Sequence, residues 1–299
     1  MPTSFLYIVA VLIGGVSWFP ILFQLGVVPV EQSIAYRFLL SGALMLLFCL
    51  ATGRQLTFTA RQHLSFAAQG IVLFTACFLL FFYALSYLAS GLLSVIYSTI
   101  LVMNIVNGMI FFGHRSDRAV GIGAALGLVG IALVFSPEIV RFEAGQGALI
   151  GLGLALGATY AASLGNMVSV YHKAADLPVI STTAWAMTYG GIFTFLIALV
   201  VAPDFTFDPR LPYVGSLLFL VLAVTVIAFT AYLALVQRIG ADRTAYIPVI
   251  VPVMALGLSV LFEDYRWGWV EAVGVLLVIV GNVIVLKAPK PLPAMQPAQ

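Results

Sequence analysis

Charged side chains are scarce in this sequence. Of its 299 residues, 13 are Lys or Arg and 11 are Asp or Glu, which is 8% of the chain, whereas soluble domains carry about 25%. Hydrophobic residues make up 63% and the mean hydropathy is +1.14, so a folded chain could not cover its apolar surface in water. This scarcity argues against a soluble enzyme and a disordered protein, and a net charge of only +2 argues against nucleic-acid binding.

Metal ligands and catalytic groups are also few. Cys49 and Cys77 both lie inside apolar segments, where a cysteine behaves as a small buried hydrophobic residue, so neither a disulfide nor a metal pair is expected. The three histidines form no His-x-x-His or His-Glu-x-x-His pattern, and the hydrolase motif Gly-x-Ser-x-Gly is absent. We therefore expect no enzymatic activity, no metal site and no cofactor.

What the sequence does contain is a series of long apolar segments. A helix needs about 20 apolar residues to cross about 30 Å of hydrocarbon, and ten segments meet this requirement. They are roughly residues 4–25, 33–52, 64–86, 91–112, 119–136, 147–171, 180–201, 211–236, 244–262 and 268–286. Each is continuously apolar and not alternating, which favours helices over a transmembrane barrel. The prediction is an all-α integral membrane protein with ten transmembrane helices, the first of them retained and not cleaved as a signal peptide.

The few Lys and Arg residues lie mostly on one side of the predicted membrane. The side that holds the N-terminus has nine of them, and the opposite side has three, Arg141, Arg210 and Arg266. Acidic residues lean towards the opposite side. Because cytoplasmic loops carry the excess of Lys and Arg, we expect both termini to be cytoplasmic.

The chain also resembles itself at an offset of about 150 residues. Gly123 and Gly130, for example, fall on Gly274 and Gly281. Five spans per half is an odd number, so the second half must cross the membrane in the opposite direction and matching loops must face opposite sides. The charges agree, since the basic loop before the fifth span matches the acidic Glu263-Asp264 loop before the tenth. We predict a five-plus-five inverted-topology repeat. The predicted division is a first repeat, a second repeat and a disordered proline-rich tail, at residues 1–140, 141–288 and 289–299.

Three short segments resemble motifs of a known family. They are Gly14-Gly15-Val16-Ser17-Trp18-Phe19-Pro20, Tyr36-Arg37-Phe38-Leu39-Leu40-Ser41-Gly42, and Phe262-Glu263 followed by Gly274 and Gly281. With the ten spans and short loops, they make residues 4–286 similar to the EamA-type branch of the drug/metabolite transporter superfamily. Two departures are visible: the Trp and Gly order of the first motif is altered, and Gly113-His114 replaces the acidic position in the first half.

The resemblance implies a function as well as a fold. Within the branch, the chain is most similar to bacterial amino-acid exporters, including those for aromatic amino acids. This implies an inner-membrane exporter of amino acids with aromatic or other uncharged side chains, in which two halves rock around a central cavity by alternating access. The expected partners are a small-molecule substrate and the lipid bilayer, without nucleic acid. A monomer is expected, although Gly-x-x-x-Gly motifs would also permit a dimer.

Polar and aromatic residues inside the spans are the candidates for substrate contact, because a polar group facing lipid is unfavourable. The candidate substrate-binding residues are Trp18, Tyr83, Tyr97, Asn104, Tyr160, Asn166, Trp185 and Tyr246. Among them, Tyr97 and Asn104 share one helical face with Asn107. Each candidate could equally pack against a neighbouring helix or lie in the interfacial aromatic belt.

Prolines inside the spans are the second kind of candidate. Pro20 removes a backbone donor and is expected to free the carbonyl of Val16, and Pro248 and Pro252 are expected to free others in the ninth span. Freed carbonyls and the ends of broken helices can bind an ammonium and a carboxylate, which suits a zwitterionic amino acid. The alternative is a packing kink whose backbone groups are satisfied by neighbouring helices.

The absence of carboxylates from the middle of the spans favours a facilitator over a proton-coupled drug/metabolite antiporter, because proton coupling usually needs a buried titratable group. Glu271 is near the outer start of the last span. Arg37, near the start of the second span, is the single arginine close to the membrane interior, which argues against phosphorylated substrates. Less favoured alternatives are an integral-membrane lipid-modifying enzyme and a small-ion channel.

Overall fold

A computed structural model describes residues 3–113, 118–140, 145–229, 231, 235, 247–262 and 268–287. In this part of the chain the regular structure is helical. The helices in chain order are α1 (Thr3–Val16), α2 (Val30–Ala51), α3 (Ala60–Ala84), α4 (Ser90–Phe112), α5 (Arg118–Val140), α6 (Gly145–Ala174), α7 (Val179–Val201), α8 (Leu211–Ala228), α9 (Ile247–Phe262) and α10 (Trp269–Lys287). A 3₁₀ turn, Pro20–Gln24, follows α1. The predicted tail, residues 289–299, lies outside the described residues.

Nine of the ten predicted apolar segments overlap one helix each over their described parts, and the first, residues 4–25, contains most of α1, a turn and the 3₁₀ segment Pro20–Gln24. Helices α2, α3, α4, α6, α7 and α8 include six segments that are long and apolar enough to cross a bilayer. Shorter apolar helices lie at Thr3–Val16, Gly121–Val134 and Trp269–Ile284. Large apolar side chains such as Leu64 and Val200 are exposed on the outside, at 72% and 82%, as a lipid-facing surface requires. The chain is an all-helical membrane protein.

Two of the helices contain π-helical segments, Gly70–Ala76 in α3 and Phe219–Ala228 in α8. A π-helical turn is wider than an α-helical turn, and such segments are frequent at functional sites. The two segments correspond at the repeat offset, because Thr75 in one and Thr225 in the other are about 150 residues apart. The Thr225 hydroxyl donates to the Leu220 carbonyl, five residues earlier, at 2.8 Å.

Glycines bring α5 and α10 into backbone contact. A Cβ atom added to Gly130 would lie 2.5 Å from the carbonyl oxygen of Gly274, and one added to Gly281 would lie 2.5 Å from the carbonyl oxygen of Gly123. Gly123, nearer the start of α5, contacts Gly281 near the end of α10, and Gly130 contacts Gly274. The two helices are therefore antiparallel. Small residues permit this approach, which replaces the hydrophobic effect as the source of helix association in lipid.

Helices α2 and α7 meet in the same way. A Cβ atom on Gly42 would lie 2.5 Å from the Thr188 hydroxyl oxygen, and one on Gly191 would lie 2.7 Å from the backbone nitrogen of Leu39. At the repeat offset, Gly42 corresponds to Gly191 and Leu39 corresponds to Thr188. The contact of Gly42 with Thr188 is therefore repeated as the contact of Gly191 with Leu39, and the α5–α10 pair shows the same exchange. Reciprocal contacts of this kind are the pattern that a local two-fold axis produces.

Gly130→Ala should destabilise the protein, because a methyl group has no room against the backbone of α10. We expect a loss of about 1–3 kcal/mol, measured as a lower melting temperature in detergent. The matched control is Gly121→Ala in the same helix, where an added Cβ atom meets nothing within 4 Å. The control should keep or raise the melting temperature, since alanine favours a helix over glycine by about 1 kcal/mol. Equal effects of the two variants would contradict the close packing of α5 and α10.

Candidate functional site

A cavity of about 330 Å³ lies in the middle of the bundle. Among the described helices, all except α5 and α10 contribute to its lining, and both π-helical segments reach it through residues such as Phe74 and Thr225. Most of the lining is aliphatic or aromatic. The principal polar or amphipathic side chains in it are Ser17, Trp18, Arg37, Tyr97, Asn104 and Asn166. A cavity of this size and lining suits a small organic molecule with a large apolar part.

One wall of the cavity is a cluster of three aromatic rings. Trp18 lies 5.4 Å from Phe81 and 5.7 Å from Tyr97 between ring centroids, and Phe81 lies 5.5 Å from Tyr97. The rings meet edge to face or tilted, as aromatic pairs prefer. Trp18 reaches this position because α1 ends at Val16, so its side chain comes from the turn between α1 and the 3₁₀ segment. The cluster presents a broad apolar surface to whatever occupies the cavity.

A second wall carries two amides. Asn166 of α6 donates from Nδ2 to Oδ1 of Asn104 of α4 at 3.3 Å, and both residues line the cavity. This bond uses one donor and one acceptor of the pair, so each side chain keeps further hydrogen-bonding capacity for a ligand. Asn107, on the same predicted face, instead donates to the Ser163 hydroxyl at 2.8 Å in the contact between α4 and α6.

Arg37 is placed differently from the prediction. The sequence suggests a position near the start of the second span, but α2 begins at Val30, so Arg37 lies about two turns inside the helix. Its side chain is buried and lines the cavity. The guanidinium carbon lies 4.8 Å from the Phe78 ring centroid and 5.3 Å from that of Phe38.

The hydrogen bonding of Arg37 is incomplete. Its Nη2 lies 3.5 Å from the Thr225 hydroxyl oxygen, at the limit for a hydrogen bond. Its Nε and Nη1 have no partner among the described residues. The ion pair found in the described part of the chain is elsewhere, between Arg210 and Asp208. Sequence reasoning did not select Arg37 or Thr225, although the repeat offset from Thr75 would have drawn attention to Thr225.

Three predicted substrate-binding residues lie away from the cavity. The Tyr83 hydroxyl donates to the Glu31 carboxylate, and the ring is partly exposed. Tyr160 is exposed on the outside of the bundle. Trp185 donates its indole N–H to the Leu56 carbonyl at 3.2 Å. The structure therefore brings Trp18, Tyr97, Asn104 and Asn166 together and does not bring these three to them. Tyr246 lies outside the described residues.

The proline predictions also have distinct outcomes. Pro20 begins the 3₁₀ turn, and α1 ends before it at Val16. The Val16 carbonyl is not free, because it accepts a hydrogen bond from the N–H of Phe19 at 3.2 Å. The prediction of a freed carbonyl at Val16 is therefore wrong, since the tighter turn provides a local donor. Pro248 and Pro252 fall within α9, whose residues Ile247 and Val251 line the cavity, but the proline side chains are outside the described set.

The cavity is lined by residues of all six helices that are long and apolar enough to cross a membrane, an arrangement that suits a membrane transporter. The chain belongs to the EamA-like transporter family, whose model matches residues 1–136 and again residues 149–287. The matches cover both halves, so two units of the family type follow each other in the chain. This confirms the resemblance to the drug/metabolite transporter superfamily, and the chain is a transporter and not an enzyme.

Comparison with individual proteins gives distant relatives. A protein of Escherichia coli (strain K12) named as a probable amino-acid metabolite efflux pump is 23% identical over 223 residues, which is 72% of this chain and 74% of the relative. The uncharacterized transporter YetK of Bacillus subtilis (strain 168) is 24% identical over 278 residues, 90% of this chain and 83% of its own. A crystal structure of another protein has the same fold, with a TM-score of 0.67 over 95% of this chain and 96% of that one at 16% identity.

Proposed function

We propose that this transporter exports amino acids with aromatic or other uncharged side chains across the bacterial inner membrane. The observation that carries the proposal is the composition of the central cavity: aromatic rings on one wall, two amides on another, and a mainly apolar remainder. The aromatic cluster of Trp18, Phe81 and Tyr97 would hold an apolar side chain. The Asn104 and Asn166 carbonyl oxygens would accept hydrogen bonds from an ammonium group. The name of the Escherichia coli relative supports the same substrate class.

We further propose a ten-span, five-plus-five inverted repeat, divided near residue 140, with both termini in the cytoplasm. Three observations support it: the reciprocal antiparallel contacts of α2 with α7 and of α5 with α10, the matching positions of the two π-helical segments, and the excess of Lys and Arg on one side. In such a repeat, rocking of the halves exposes the cavity to each side of the membrane in turn.

Two contacts between the halves indicate how the halves would move. Met254 of α9 meets Gly15 of α1, and Asn104 of α4 meets Asn166 of α6; the two contacts lie at matching positions of the repeat. Separating one contact while keeping the other would open one side only. The α5–α10 pair does not line the cavity and would serve as the fixed frame on which these helices move.

Purified protein in proteoliposomes should give saturable uptake of labelled phenylalanine and leucine and none of lysine or glutamate. Trp18→Ala and Asn104→Ala should lower the initial rate about tenfold, because each removes a proposed substrate contact worth about 1.4 kcal/mol or more. Tyr160→Ala and Trp185→Phe are the matched controls, since their side chains lie away from the cavity, and they should transport at the parental rate. The proposal fails if the folded parent shows no saturable flux over a wide amino-acid panel.

The two coupling hypotheses can be separated by collapsing the proton gradient. No carboxylate lines the cavity in the described part of the chain; Glu31 is buried at the start of α2 and accepts from Tyr83. We therefore expect facilitated flux that persists at the same initial rate when a protonophore is added, and that persists in Glu31→Gln. A flux that depends strictly on the proton gradient, with that dependence lost in Glu31→Gln, would favour the proton-coupled antiporter and contradict facilitated transport.

Orientation can be tested with single cysteines in a Cys49→Ala, Cys77→Ala background. Thr57→Cys and Asp204→Cys place a thiol in two exposed loops that the proposal assigns to opposite sides. In intact cells a membrane-impermeant maleimide should label the Asp204→Cys protein, and it should label the Thr57→Cys protein only after permeabilisation. The reverse pattern would place the termini outside.

A further inference from the structure

We propose that Arg37 is the recognition site for a carboxylate, and that the cavity takes amphipathic monocarboxylates whether or not they carry an ammonium group. This inference rests on the proposed transport function and names the chemical group of the substrate that the cavity binds. It assigns a binding role to a residue that the candidate list omits. The observation behind it is a buried guanidinium that faces the cavity and has no counter-ion in the described structure.

The energetics of Arg37 favour a ligand as its missing partner. A charge taken out of water is penalised by several kcal/mol unless an opposite charge or hydrogen bonds compensate, and a guanidinium does not escape by losing its proton. Arg37 is 4% exposed. The rings of Phe38 and Phe78 provide cation–π attraction, but they accept no hydrogen bond in the plane of the guanidinium. Within the described residues, Nε and Nη1 remain unpaired.

A purely structural role is the weaker explanation. A residue that holds α2 against α8 would make short, well-directed hydrogen bonds, whereas the hydrogen bond of Arg37 to α8 found among the described residues is the 3.5 Å approach to the Thr225 hydroxyl. That hydroxyl donates its proton to the Leu220 carbonyl, so towards Arg37 its oxygen acts as an acceptor, and at 3.5 Å the bond is weak. The fork formed by Nε and Nη1 is the part left for a ligand.

The lining limits the ligand to one negative charge. Planar carboxylates match the guanidinium fork with two parallel hydrogen bonds. A phosphate dianion would call for further cations, and Arg37 is the one Lys or Arg among the cavity-lining residues that the structure describes. The remainder of the 330 Å³ is bounded mainly by aliphatic and aromatic side chains, which suits a hydrocarbon or aromatic body and no second anionic group.

The test compares carboxylates with amides of the same shape. Equilibrium binding to the detergent-solubilised full chain is measured for 3-phenylpropionate, 3-indolepropionate and hexanoate, and for the three corresponding amides. We expect each carboxylate to bind at least tenfold more tightly than its amide. Equal affinities in any two of the three pairs, or no binding of any carboxylate, would overturn the proposal. This part needs no variant and is independent of folding defects.

Variants then locate the preference. Arg37→Gln should bind carboxylate and amide equally, and Arg37→Lys should keep part of the preference, because an ammonium supplies charge without the fork. The matched control is Arg54→Gln, which removes an exposed arginine that also lies over a ring, 5.7 Å from Phe48, and it should behave as the parent. A carboxylate preference retained in Arg37→Gln would overturn the assignment to Arg37.

Stability gives a second readout. Without ligand, Arg37→Gln should melt at the same temperature as the parent or higher, since it removes an unpaired buried charge. A residue that mattered only for packing would lower the melting temperature, which would contradict the proposal. Because these measurements need no flux, they separate two failures: absent transport with an intact carboxylate preference refutes the proposed function alone, and saturable transport without the preference refutes the Arg37 site alone.

Discussion

Close backbone contact between paired helices is the constraint on which the rest of this structure depends. Lipid tails are as apolar as leucine side chains, so helices in a bilayer are held together by van der Waals contact and not by escape from water. Glycines at Gly130 and Gly274, and at Gly42 and Gly191, allow that contact. Once α5 is fixed against α10 and α2 against α7, the other helices can surround a space instead of filling it.

The cavity combines a firm apolar wall with irregular backbone. In the aromatic cluster, each of the three rings contacts the other two. The π-helical segments of α3 and α8 border the same space with wider, less regular turns. Such segments are frequent at functional sites. The aromatic cluster and the two π-helical segments therefore border one and the same space.

Much of the fold could be predicted from the sequence, because the bilayer permits few solutions for long apolar segments. The site was predictable only in part. Trp18 and Asn104 line the cavity, but Trp185 and Tyr160 do not. The sequence could not separate these two groups, because periodicity places residues on a common helical face without telling which way the helix is rotated in the bundle. Arg37 was misplaced for a different reason: its depth depends on where α2 begins, and a shift of three residues moves a side chain by nearly one turn.

Two matching contacts between the halves of the chain are chemically unequal. Asn104 and Asn166 form an amide pair, and their counterparts, Met254 and Gly15, form an apolar one. Each contact joins a residue of the first half to a residue of the second, so opening the cavity at one contact would separate two amides and opening it at the other would separate two apolar groups. In alternating access, the inward-open and outward-open states would therefore separate different contacts and differ in free energy. A passive carrier built this way has unequal affinities on its two faces, while detailed balance leaves the direction of net flow to the concentrations alone.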